Sequence, residues 1–193
     1  MPPHNRNEFT VSAMNRRQLL KIGLMASLVC LNPAPALARN VLNSAPERSL
    51  SLLNTHTGER LKEVVYWERG RYLDDALQNI DYVLRDHRTD DIHPIDPITL
   101  DLMATISRKL NAKRPFEIIS GYRSPQTNQA LRSKSSGVAR KSYHTLGRAI
   151  DLRLPGVPLK TVHKAALNLR MGGVGYYPKS DFVHIDSGKV RSW

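Results

Sequence analysis

The sequence predicts an α+β domain with a small, mainly antiparallel sheet and helices packed on one side. Two observations carry this. Leu50-Ser51-Leu52-Leu53-Asn54 and Arg60 to Trp67 alternate around the turn Thr55-His56-Thr57-Gly58-Glu59 and read as a β-hairpin. Two helical patterns then follow one another before the next strand, which is not the regular strand-helix alternation of a parallel sheet. A chain of 193 residues is long enough to bury one sizeable core without further staples. Cys30 is the only cysteine and precedes the domain, so disulfides contribute nothing to the mature fold.

The first 38 residues read as an export signal. Asn15-Arg16-Arg17-Gln18-Leu19-Leu20-Lys21 supplies a basic head and residues 22–31 an apolar run too short for a permanent anchor. Ala36-Leu37-Ala38 supplies a cleavage site. The arginine pair resembles a twin-arginine signal, with an ordinary secretory signal as the alternative, and Met14 competes with Met1 as the start. Val29 is too bulky for the residue before a lipidated Cys30. The expectation is cleavage after Ala38, a single domain over 39–193, a periplasmic location, a monomer and no membrane anchor.

Beyond the hairpin, with His56 in its turn, Leu73, Ala76, Leu77, Ile80, Val83 and Leu84 recur at helical spacing and predict a helix over 73–87. Asp74 and Asp75 sit at its positive end, where they cap better than they would pair as acid and base. A Pro-punctuated loop holding His93 leads to a second helix over 98–110, capped near Asp96. A strand over 115–120 enters the turn Gly121-Tyr122-Arg123-Ser124-Pro125, a place where side chains reach the edge of a sheet. A helix over 125–133 and a basic loop over 134–142 then deliver His144. A further helix is expected over 159–171, with His163 on its solvent side or in a local hydrogen bond, followed by a tight loop at Gly172-Gly173-Val174-Gly175.

The chemistry concentrates in two pieces. In Ser142-Tyr143-His144-Thr145-Leu146-Gly147-Arg148-Ala149-Ile150-Asp151 a histidine precedes a glycine turn and a strand that carries Ala149, Asp151 and Arg153 on one face. In Phe182-Val183-His184-Ile185-Asp186 the alternation places Phe182, His184 and Asp186 together. If the two strands are neighbours, two imidazoles and a carboxylate converge as three zinc ligands with a fourth position open. A histidine hydrogen-bonded within the fold is the competing reading of each piece taken alone.

The pattern Ser-x-His-x-x-Gly-x-Ala-x-Asp at 142–151 with a later strand histidine resembles the zinc peptidases that include D-Ala-D-Ala metallopeptidases, lysostaphin-type enzymes and the hedgehog domain. The blocks at 119–124, 137–145, 172–178 and 182–186, in that order, carry the likeness from about 50 to 193. The resemblance implies the hedgehog/D,D-peptidase fold and a Zn2+ held by His144, Asp151 and His184. It also implies a catalytic Arg123 that holds substrate or stabilises the oxyanion. For the general base it offers Glu-x-x-His or His-x-His; Phe182 excludes the second, and the choice stands between Asp181 and Asp186. Asp186 is preferred, either accepting the proton of water or orienting a ligand. Ser142 supports the first ligand, and Tyr143, Tyr176 and Tyr177 are packing or substrate contacts.

The implied activity is zinc-dependent hydrolysis of peptidoglycan stem-peptide cross-links during wall growth. The alternatives are a stem-peptide carboxypeptidase and a non-catalytic peptidoglycan-binding module on the same fold. The net charge of +12 favours polyanions. Zinc-finger spacing, a recognition-helix pattern and aromatic-rich basic strands are missing, so nucleic acid is not the expected partner.

Overall fold

The computed structural model describes residues 47–135 and 137–193, so the expected export signal lies outside the described residues. The hairpin forms as expected, with β1 (Glu47–Asn54) antiparallel to β2 (Arg60–Glu68), and β2 also pairs with the short β3 (Arg71–Tyr72). Then come α1 (Asp74–Val83), α2 (Pro97–Lys109), β4 (Phe116–Ser120) and α3 (Pro125–Lys134). A 3-10 turn (Tyr143–Leu146) leads into β5 (Ala149–Arg153), α4 (Leu159–Leu169), β6 (Gly173–Tyr177), β7 (Phe182–Asp186) and β8 (Arg191–Ser192).

The sheet corrects the expectation of a small, mainly antiparallel one. It has eight strands in the order β3-β2-β1-β4-β5-β7-β6-β8. It is mixed: β1 pairs parallel to β4 and β6 parallel to β8, while the other junctions are antiparallel. The chain between β1 and β4 contains two helices, long enough to bring β4 back in the same direction. The glycine-rich stretch read as a tight loop is the strand β6. A Cβ at Gly173 would collide with Arg191 and Asp186, and one at Gly175 would meet the Trp193 indole at 2.7 Å, so glycine there serves close packing rather than turning.

Helix α1 stops about a turn before the expected end. The Leu84 carbonyl is taken by the Tyr122 N–H at 2.7 Å and the Asp86 N–H donates to Asp91, so the backbone leaves the helical ladder to tie down the turn after β4. Helix α2 begins where its signals place it: Asp96 accepts from the Ile98 N–H at 3.0 Å and Pro97 opens the first turn. Helix α4 ends at Arg170, which takes the left-handed conformation with φ 51°.

The core joins Leu50 and Leu52 of β1, Ile80 and Val83 of α1, Leu100, Met103 and Ile106 of α2, and Val162 and Ala166 of α4. Ile150 and Leu152 of β5 and Val183 and Ile185 of β7 complete it, all fully buried. Apart from Ala166, each such side chain stabilises the fold by about 1.5–3 kcal/mol. Because strand side chains alternate, burying these four on the core face forces Asp151 and His184 onto the other. A buried polar knot fixes the far half of the sheet: Asp101 of α2 accepts from Arg48 at 2.7 Å and from Tyr66 and Tyr72 at 2.9 Å. Burial and the Asp101 charge push the Tyr72 hydroxyl up to about 12, so it stays a donor at neutral pH.

Candidate metal centre

The register delivers the cluster. In the antiparallel β5–β7 pair Asp151 lies directly opposite His184, and Gly175 of β6 flanks His184 on its other side. His144 arrives from the 3-10 turn, whose first free N–H groups are met by Ser142: its Oγ accepts from the His144 N–H at 3.3 Å. Gly147 closes that turn at φ 63°, and a Cβ there would strike the Pro94 carbonyl, so only glycine fits the signature at this point.

The distances are those of a ligand set. His184 Nδ1 lies 2.7 Å from Asp151 Oδ1, His144 Nε2 lies 3.3 Å from the same oxygen, and the two imidazole nitrogens are 3.3 Å apart. Ligand atoms about 2.0–2.1 Å from a tetrahedral cation sit roughly 3.3 Å from one another, so the triangle fits one ion after a small opening of its shortest edge. The outer edges of both rings are anchored as metal-bound histidines require. His144 Nδ1 bonds the Gly121 carbonyl at 2.8 Å, and His184 Nε2 bonds Asp186 Oδ2 at 3.2 Å. Neutral nitrogen and carboxylate donors without thiolates match a catalytic rather than a structural zinc set. Among the described residues these three form the one His/Cys/Asp/Glu group able to hold a metal.

The charges reinforce one another. Burial disfavours a charged His184, but hydrogen bonds and charge attraction from Asp151 and Asp186 outweigh it and raise its pKa to about 9. Burial alone would raise Asp151; the two histidines reverse that and hold it well below the usual carboxylate range.

Arg123 stands beside the cluster, its Nη2 3.6 Å from Asp151 Oδ2 and 3.2 Å from Ser120 Oγ. The turn that carries it is pinned at three points. Tyr122 donates to Leu84, the Arg123 N–H to the His144 carbonyl at 3.1 Å, and the Ser124 N–H to Asp86 at 2.8 Å. Gly121 fits only without a Cβ, which would enter the Leu84 carbonyl. The Arg123 side chain is largely buried, and its Nε has no partner among the described residues. Burial lowers its pKa against the attraction of Asp151. A buried guanidinium with spare donors is prepared for an anion.

The two candidate bases are placed differently. Asp181, just before β7, is exposed, pairs with Arg153 at 2.9 Å and does not line the cleft described below. Asp186 is fully buried behind His184. Arg191 grips it with two donors at 2.7 and 3.1 Å, and the N–H groups of Gly173 and Gly188 bond its Oδ1 at 3.1 and 2.8 Å. Burial would raise its pKa, but His184 and Arg191 hold it well below the usual range. That placement supports the orienting role over the proton-accepting one.

A cleft of about 460 Å³ opens over the cluster, lined by Arg123, His144, Asp151 and His184 and walled by Tyr177, Phe182 and Trp193. Tyr177 stacks on Phe182 at 4.6 Å and accepts from the Trp193 indole N–H at 2.7 Å. The residues that sequence reasoning missed are Arg191 and Trp193; the glycines opposite them were the available signal. The other described histidines lie elsewhere. His56 bonds the Ile119 carbonyl at 3.0 Å and stacks on His87, His93 tilts against Tyr122, and half-buried His163 stacks on Tyr176, its Nε2 buried with no hydrogen-bond partner among the described residues.

The chain resembles known proteins over most of its length. Residues 42–193 match the family model described as peptidoglycan L,D-endopeptidase MepK. The chain is 45% identical over 179 residues to the peptidoglycan L,D-endopeptidase MepK of Escherichia coli (strain K12), an alignment covering 93% of this chain and 97% of that protein. It is 41% identical over 180 residues to the probable peptidoglycan L,D-endopeptidase MepK of Haemophilus influenzae, covering 93% and 95%. A likeness over residues 42–193, a span that contains the Arg123 turn, both histidine segments and the strand carrying Asp151, makes this chain a member of the MepK family of M15-type peptidases.

Proposed function

We propose that this protein is a metal-dependent peptidoglycan endopeptidase that hydrolyses cross-links at an amide joining an L-centre to a D-centre. The observation that carries the reading is the convergence of a three-ligand cluster and the spare donors of Arg123 in one cleft. Zn2+ held by His144, Asp151 and His184 would supply Lewis acidity toward a carbonyl and toward water. The chain's own residues do the rest. Arg123 faces the cleft as a fixed, partly desolvated cation, suited to a substrate carboxylate or to the charge that develops on the scissile oxygen. The Gly121 carbonyl and Asp186 fix the planes of His144 and His184, so the two imidazoles do not have to reorganise when substrate arrives. Arg191 holds Asp186 in place and is thereby a positioning residue. The stacked Tyr177 and Phe182, with Trp193, wall the cleft with apolar surface against which a stem-peptide side chain packs.

On this reading residues 39–193 are the peptidase domain, a span close to the family match at 42–193, and residues 1–38 export it to the periplasm, where the polymer lies. It works there as a monomer; no helix of the described residues is long and apolar enough to cross a membrane. The test uses two purified stem-peptide dimers, one joined through an L-to-D amide and one through a D-to-D amide, with an uncross-linked stem as third substrate. The first should fall to monomers while the other two persist. Trimming of the uncross-linked stem alone would replace this reading with a carboxypeptidase.

A further inference from the structure

A second cavity, of about 420 Å³, lies between the β1–β2 hairpin and the segment that joins α2 to β4. Arg60 and Lys62 of β2 line it from one side and Lys113 and Arg114 from the other, and Ser49 and Ser51 share the lining, the Ser51 Oγ accepting from the Glu63 N–H at 2.9 Å. All four cations are exposed, and none forms an ion pair among the described residues. One carboxylate, Glu63, shares the lining, so the groove is strongly positive. Four like charges around one concavity repel one another, and a polyanion that entered would relieve that repulsion.

The groove is separate from the metal centre. It sits at the Phe116 end of β4, whereas Ser120 at the other end lies opposite Asp151, and two strands, β4 and β5, intervene between β1 and β7. Strand dimensions put the two sites roughly 20 Å apart. A stem peptide bound at the metal centre therefore leaves the groove open to another part of the same polymer.

We propose that this groove is an exosite for a second, uncleaved stem peptide of the peptidoglycan, held through its free carboxylates. This rests on the cell-wall reading above. Arg60 and Arg114 offer paired donors to carboxylate oxygens, Lys62 and Lys113 add point charge, and the serine hydroxyls complete the hydrogen bonding. Linking two weak contacts to one polymer raises retention on the wall without changing the chemistry at the cleft.

The experiment compares the protein with the variant Arg60→Gln/Lys62→Gln/Lys113→Gln/Arg114→Gln in two assays: co-sedimentation with insoluble peptidoglycan, and cleavage of a soluble cross-linked dimer. The variant should lose about tenfold or more in sedimentation while its rate on the soluble dimer stays within about twofold. Wild-type sedimentation should also fall with added salt, which needs no variant. Equal sedimentation of the two proteins, or salt-insensitive binding, would overturn the exosite. So would binding of the wild type to vesicles of anionic phospholipid with none to peptidoglycan. Failure of the wild type to cleave any soluble substrate would instead count against the peptidase reading, and sedimentation would still decide the groove.

Discussion

Asp186 Oδ2 lies 3.2 Å from Nε2 of His184, on the ring edge opposite the one that meets Asp151. One imidazole thus has a carboxylate on each side: Asp151 shares the metal position and Asp186 fixes the ring from behind. Asp186 is in turn held by Arg191 from β8, so the short last strand reaches the metal centre through a chain of three side chains.

Asp186→Asn should therefore weaken metal retention about 10- to 100-fold while leaving the three ligands in place. Titration against a chelator of known affinity reads this directly. Arg191→Gln should produce a smaller loss in the same direction, and Arg191→Lys should recover part of it. Unchanged affinity in Asp186→Asn would remove the orienting role.

Arg123→Ala should keep the metal and lose about 100- to 1000-fold in kcat, or about 2.7–4 kcal/mol, if its donors act on the developing oxyanion. A rise in KM with kcat unchanged would instead place Arg123 on a substrate carboxylate. The metal content of the purified variant separates either result from damage to the cluster.

The raised His184 pKa gives a pH dependence with a definite sign. Its folded value of about 9 exceeds the ordinary 6.5, so in the metal-free protein the interaction with Asp151 and Asp186 stabilises fully below about 6.5. That contribution is lost as pH rises through about 9. Metal requires the neutral ring, so binding at pH 7.5 should release about one proton from His184, a share of the total release that falls toward zero above about pH 10. Calorimetry in two buffers of different ionisation enthalpy measures the number; no release at neutral pH would contradict the pairing.

Gly173→Ala should destabilise the protein by more than about 2 kcal/mol, because the new methyl group meets both Arg191 and Asp186. Thermal unfolding of the metal-free protein isolates that packing cost from metal binding. A loss no larger than that of an exposed substitution would mean that β8 moves aside freely.

The ligand residues were legible because their spacing is enforced by strand alternation: once Ile150, Leu152, Val183 and Ile185 are assigned to the core, Asp151 and His184 must face the other way. Arg123 was legible only through the resemblance of its turn, since the bonds that pin that turn come from Leu84, Asp86 and His144, distant in sequence. The strand at Gly173–Tyr177 was hidden because three glycines in four residues carry a turn signal, whereas their cause is the approach of Asp186, Arg191 and Trp193. The size of the sheet was hidden for a related reason, as β3 and β8 are two residues long and have no period to detect. The end of α1 was misplaced because Leu84 continues the helical pattern while its carbonyl is claimed by Tyr122.

The most direct test of the account is digestion of isolated cross-linked peptidoglycan, with fragments resolved by mass, by the protein as purified, after chelation, and after restoring one equivalent of Zn2+. His184→Ala runs alongside as the cluster control. L,D-linked dimers should convert to monomers, the conversion should be lost on chelation and return with zinc, and His184→Ala should show neither zinc retention nor cleavage. Cleavage that survives chelation, or full zinc retention by His184→Ala, would contradict this.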